Sequence, residues 1–130
     1  MNKSPWQYFE LDELKCKCGN CGSAGMEMDD SFMQKIIILR EELGFPFCVS
    51  SAYRCPKHNT SVSSTGMAGP HTTGKAMDIV VHGEEAYRLV KKAVLHDFSG
   101  IGVSQKGIRR FIHLDSLEKP DYPRPNIWSY

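Results

Sequence analysis

Excess charge of either sign is nearly absent from this 130-residue chain, where 16 Lys and Arg face 15 Asp and Glu for a net charge of +1. Without a basic surplus there is no electrostatic case for a nucleic-acid partner, so partners have to be argued from sites. No apolar run approaches the length of a membrane span, and the opening stretch MNKSPWQYFELDEL lacks the apolar core of a secretory signal. These absences predict a chain made as a soluble cytosolic product and not inserted in a membrane. A target outside the membrane would then need another agent to release or carry it. The five cysteines, at positions 16, 18, 21, 48 and 55, are too few and odd in number for a full disulfide framework. Repeats, low-complexity runs and linkers are missing as well. The chain therefore reads as one domain over residues 1–130, long enough to bury its own core and expected to act as a monomer.

What is present has a clear order of elements. Asp29 or Asp30 can cap a helix that continues through Phe32, Ile36, Leu39 and Leu43 on one face, with Gly44 as a left-handed stop. FPFCVSSAY, from Phe45, reads as a turn into a strand. The stretch from Arg54 to Pro70 is polar and reads as a long functional loop. KAMDIVV alternates Ala76 and Asp78 against Met77, Ile79 and Val81, the pattern of a strand with one buried face. A second helix is expected over Gly83 to Asp97, with Ala86, Leu89, Val90, Ala93 and Val94 inward. GIGVS and RFIHLD follow as a hairpin turning around Gln105 to Gly107, and the tail KPDYPRPNIWSY reads as a strap over the core. This sequence of elements predicts an α+β domain with a mainly antiparallel sheet flanked by helices.

The cluster CKCGNC places Cys16, Cys18 and Cys21 at a spacing that can hold a soft metal if a fourth ligand comes from elsewhere. It lacks the second pair of a zinc ribbon, so it reads as a cysteine-rich turn with buried thiols ahead of a structural zinc site. Cys55 reads as a buried structural cysteine, and a Cys48 to Cys55 disulfide is open.

A second group carries more chemistry. In PHTTGKAMDIV, His71 precedes Asp78 by an interval that fits neither helix nor strand, placing the histidine at a loop end and the aspartate in the following strand. In RFIHLD, Phe111, His113 and Asp115 project to one face. Two imidazole nitrogens and a carboxylate oxygen suit zinc, and three protein ligands leave a fourth position for water, as catalysis requires. Taken singly, each of these residues reads as an ordinary surface or core side chain, and spacing alone does not join His113 to the other two.

The stretches SSAYRCPKHN (50–59), HTTGKAMDI (71–79), GIGV (100–103) and FIHLD (111–115), in that order, resemble the zinc D-alanyl-D-alanine carboxypeptidases, most of all the short single-domain members found in bacteriophages. The likeness runs from about Cys16 to the IWSY end. It implies zinc held by His71, Asp78 and His113 on the antiparallel sheet of a small α+β domain. It also implies hydrolysis of peptidoglycan peptides at bonds involving D-amino acids, as a carboxypeptidase or as a stem-peptide or crosslink endopeptidase of a lytic enzyme. Arg54 matches the arginine that such a site turns toward substrate, where a guanidinium can hold a carboxylate or steady an oxyanion.

One departure matters. Better-known branches of that family carry an acidic base three residues before the last zinc ligand, and this chain has Arg110 there, which cannot accept a proton. Asp115 then has two open roles: accepting the water's proton, or orienting His113 through its second ring nitrogen. Arg54 and Tyr53 are the expected substrate contacts, with Tyr53, like Trp128, open between the groove and the core. His58, His82 and His96 are further histidines, His58 the foremost because it follows Arg54. A non-catalytic zinc-binding domain that recognises wall fragments is the competing reading.

Overall fold

The computed structural model describes residues 4–130. In chain order it contains α1 (Leu11–Leu14), α2 (Asp30–Leu43), β1 (Val49–Ser51), α3 (Pro56–Val62), β2 (Ala76–Ile79), α4 (Gly83–Leu95), β3 (Gly100–Ser104), β4 (Phe111–Asp115) and β5 (Asn126–Ser129). The strands form one sheet in the order β1-β2-β4-β3-β5. Every pair is antiparallel except β3 with β5. This is the α+β architecture expected from the sequence.

The two long helices start and stop for local reasons. The Asp29 side chain accepts a 2.9 Å hydrogen bond from the Phe32 amide, satisfying one of the open donors at the start of α2. Gly44 ends that helix in the left-handed conformation, φ 77°. Phe32, Met33, Ile36, Ile37, Leu39 and Leu43 are buried along it. On α4 the buried stripe is Ala86, Leu89 and Ala93. Val94, expected to face inward, is exposed because it lies about 100° round the helix from the preceding residue of that stripe.

The sheet separates two chemistries by strand alternation. Met77 and Ile79 of β2, Ile112 and Leu114 of β4 and Ile101 of β3 belong to one apolar core with both long helices. The opposite face carries Asp78, His113, Asp115, Gly100 and Gly102, which occupy the alternate register positions. All four residues of β2 are buried, because the short 3₁₀ turn Pro70–Thr73 covers the face that sequence alternation alone leaves open.

Two expectations are corrected. The polar stretch after Arg54 is not a structureless loop: Pro56 starts α3 at a position where its missing amide costs nothing. The tail is not only a strap. Its prolines carry it irregularly as far as Pro125, after which Asn126–Ser129, rich in β-formers and free of proline, adds β5 parallel to the edge of β3.

Gly100 and Gly102 of the GIGV stretch have a steric purpose. A Cβ at Gly100 would collide with the Asp115 carboxylate on the neighbouring strand, and one at Gly102 would come within 2.6 Å of the Trp128 indole nitrogen. Both glycines keep the polar face of the sheet open to larger side chains. Gly100→Ala should therefore lower unfolding free energy by about 2 kcal/mol, since the buried Asp115 has nowhere to retreat. Chemical denaturation measures this, and an unchanged midpoint would show that Asp115 is not held where β3 confines it.

Candidate metal centre

Strand register builds the centre. Asp78 and His113 are direct partners across β2 and β4, so their side chains leave the same face at closest approach. On the other side of His113 the row continues to Gly102 and then to Trp128, while Ser51 lies beyond Asp78. Five strands thus contribute one transverse row with an acid and an imidazole at its middle.

His71 arrives from the turn Pro70–Thr73, which Gly74 closes at φ 76°. Only glycine fits there, because a Cβ would strike the Glu27 carbonyl of the N-terminal segment. The turn is tied down on both sides: the Asp29 amide donates to the Gly74 carbonyl at 2.9 Å, and the Arg54 amide donates to the His71 carbonyl at 3.0 Å.

The hydrogen bonds fix which ring nitrogens remain free. His71 Nδ1 lies 2.7 Å from the Ala52 carbonyl, an acceptor only, so Nδ1 carries the proton and Nε2 turns to Asp78 Oδ1 at 3.2 Å. His113 is held in the opposite sense. Its Nε2 donates to Asp115 Oδ2 at 2.7 Å, and its Nδ1 faces Asp78 Oδ1 at 2.9 Å. Asp115 is itself paired with the Arg124 guanidinium, Nε to Oδ1 at 2.9 Å and Nη2 to Oδ2 at 2.8 Å. With both outward nitrogens protonated, two ring lone pairs and a carboxylate oxygen face one another with no donor between them. Such a meeting of acceptors calls for a cation.

The three residues are 5%, 6% and 2% exposed for His71, Asp78 and His113, and their ligand atoms lie within 4.8 Å of one another. Two nitrogens and one oxygen, buried and preoriented by hydrogen bonds behind them, fit zinc. The titration tendencies show that the cluster attracts positive charge, so a metal has to displace protons to bind there. Burial pushes Asp78 upward, but the neighbouring His71 and His113 outweigh it and hold the carboxyl below its usual range. Burial likewise opposes charge on His113, yet Asp115 and Asp78 raise its pKa. Asp115 is held at about 2, because hydrogen bonds from His113 and Arg124 overcome its burial.

The remaining sequence candidates separate. Arg54 belongs to the site: one guanidinium nitrogen is 3.9 Å from Asp78 Oδ2 while another donates to Asn59 Oδ1 at 3.0 Å. Tyr53 does not. It packs against the hydrophobic core and lies outside the residues that line the cleft, and its amide donates to the Leu14 carbonyl at 3.1 Å. Trp128 takes the groove position, its ring 5.1 Å from that of His113. Asp115 stands behind His113, on the ring nitrogen turned away from Asp78, and both its oxygens are occupied. That geometry does not suit a shuttle for a water at the centre and leaves the orienting role. His58 and His82 lie outside the cleft, and His96 pairs with Glu42 at 2.9 Å.

Sequence reasoning missed Arg124. It sits between two prolines in the tail, and nothing in that pattern signals a buried charge matched to Asp115.

A model of the peptidase M15 family matches residues 7–115 of the chain. The chain belongs to the peptidase M15 family. No curated protein matches it. M15 peptidases are zinc-dependent, in agreement with the donor set found at His71, Asp78 and His113. The matched span ends on Asp115, so Arg124 and Trp128 complete the centre from outside it.

Asp115→Asn should weaken zinc binding about 10- to 100-fold, since it withdraws the charge that orients the His113 ring. It should also lower fold stability by about 3 kcal/mol by leaving Arg124 buried and unpaired. Competition with a chromophoric chelator measures the first effect, and unchanged affinity would contradict the orienting role.

Proposed function

We propose that this M15 peptidase hydrolyses peptide bonds involving D-amino acids in peptidoglycan, removing a terminal D-alanine or cutting a stem peptide or crosslink, as part of a phage-type lytic enzyme. The observation that carries the reading is the meeting of His71, Asp78 and His113 at the floor of a cleft of about 1240 Å³. That volume suits a peptide segment. Arg54, Arg109 and Arg110 reach the same cleft, which suits a substrate bearing free carboxylates.

When bound, zinc supplies a Lewis acid that polarises the scissile carbonyl and makes a water acidic enough to attack near neutral pH. The chain's residues divide the other tasks. His71 Nε2, Asp78 and His113 Nδ1 would hold the metal. Arg54, steadied by Asn59, directs its guanidinium toward the reacting centre, where it can pair with the terminal carboxylate or the developing oxyanion. Asp115 and Arg124 fix the tautomer and angle of His113. Trp128 packs beside that ring and limits water around it.

A second reading, a non-catalytic zinc module that recognises wall fragments, is favoured by one observation. Among the described residues that line the cleft, Asp78 is the only carboxylate, so a separate acidic proton acceptor is missing there. Digestion of purified wall with defined peptide products distinguishes the two readings. The peptidase reading expects new peptide termini that vanish with chelator and return with zinc. The module reading expects zinc binding and wall binding without new termini.

Within the peptidase reading, Arg54→Ala should retain zinc and lower kcat/KM about 10²- to 10³-fold. Steady-state kinetics on a peptide ending in D-alanine checks it. Unimpaired turnover would remove Arg54 from the mechanism.

A further inference from the structure

A second cluster of metal-ligating side chains lies outside this centre. The Sγ atoms of Cys16, Cys18, Cys21 and Cys55 all lie within 4.8 Å of one another. Folding brings Cys55, at the start of α3, to the CKCGNC turn and supplies the fourth ligand that the turn lacks on its own. We propose that these four cysteines hold a structural zinc ion.

The geometry distinguishes this from the alternatives. Four sulfurs about 2.3 Å from a tetrahedral zinc are about 3.8 Å apart, and Cys18 and Cys55 are separated by 3.9 Å. A disulfide would need about 2.0 Å, and all five cysteines are free. Nor is this a set of buried thiols packed as small hydrophobes. Cys16 alone is buried, Cys21 is exposed, and Cys18 and Cys55 are in between.

Backbone amides are aimed at the sulfurs. The Cys55 amide donates to Cys16 Sγ at 3.2 Å, and the His58 amide donates to Cys55 Sγ at 3.3 Å. Amide donors to sulfur favour thiolate over thiol and offset the charge of a metal tetrathiolate. Gly19 and Gly22, at φ 76° and 77°, bend the chain so that the three sulfurs of the turn converge.

The site links the segments that build the catalytic centre. Cys55 follows Arg54 directly. Cys16 is anchored through its amide to Ser23 Oγ at 3.0 Å, and Ser23 donates to Glu27 at 2.9 Å. Glu27 in turn packs its carbonyl against Gly74, the residue that closes the His71 turn. A zinc at the cysteines therefore clamps the N-terminal segment onto the carriers of Arg54 and His71, and contributes stability without touching substrate.

Metal counting by mass spectrometry on protein purified with a reductant tests the proposal independently of activity. Wild type is expected to carry two zinc ions per chain, and a His71→Ala/His113→Ala variant one. Adding Cys18→Ser and Cys21→Ser to that variant should leave none. Cobalt(II) loaded into the histidine variant should show a strong thiolate-to-metal charge-transfer absorption, and alkylation should modify Cys48 well ahead of the other four thiols. Should the serine variant fail to fold, the wild-type and histidine-variant readings decide alone. The proposal is overturned if the histidine variant holds no zinc, gives no thiolate band with cobalt, and alkylates at all five cysteines equally.

Discussion

The register of β2 against β4 is the constraint on which the site depends. It sets Asp78 directly opposite His113. A slip of one residue in either strand would send that strand's member of the pair into the apolar core and bring Met77 or Leu114 to the polar face. The register is held by Met77, Ile79, Ile112 and Leu114, which are almost completely buried beneath α2 and α4. Hydrophobic burial on one side of the sheet thus fixes the coordination geometry on the other.

Charge on the polar face is organised around that row. Asp115 is fully buried and survives there as an anion because Arg124 and His113 satisfy both its oxygens. Arg124 in turn lies 5.0 Å over the Trp128 ring, and Trp128 packs beside His113. The last strand therefore closes around the ligand from behind. Arg54, Arg109 and Arg110 also line the cleft, while Arg124 is set apart by its burial against Asp115.

Much of this was legible from particular residues. Asp29 and Gly44 mark α2 because capping is a local interaction, and the alternation in FIHLD reveals which side chains share a face. His71, Asp78 and His113 became a joint site only through the resemblance of whole stretches, because strand pairing is a long-range property that spacing does not encode. The same limit leaves Tyr53 open between groove and core and hides the roles of Arg124 and Cys55. α3 escaped notice because its sequence, PKHNTSV, lacks an apolar stripe and its stability comes from packing and capping. The strand in the tail was hidden by the prolines before it.

The most direct test of the account is anomalous diffraction at the zinc absorption edge from crystals of zinc-loaded protein. The account predicts a peak bonded to His71 Nε2, Asp78 and His113 Nδ1, with His113 Nε2 still donating to Asp115. A peak on His113 Nε2, or no peak among these three side chains in crystals grown with zinc, would contradict it.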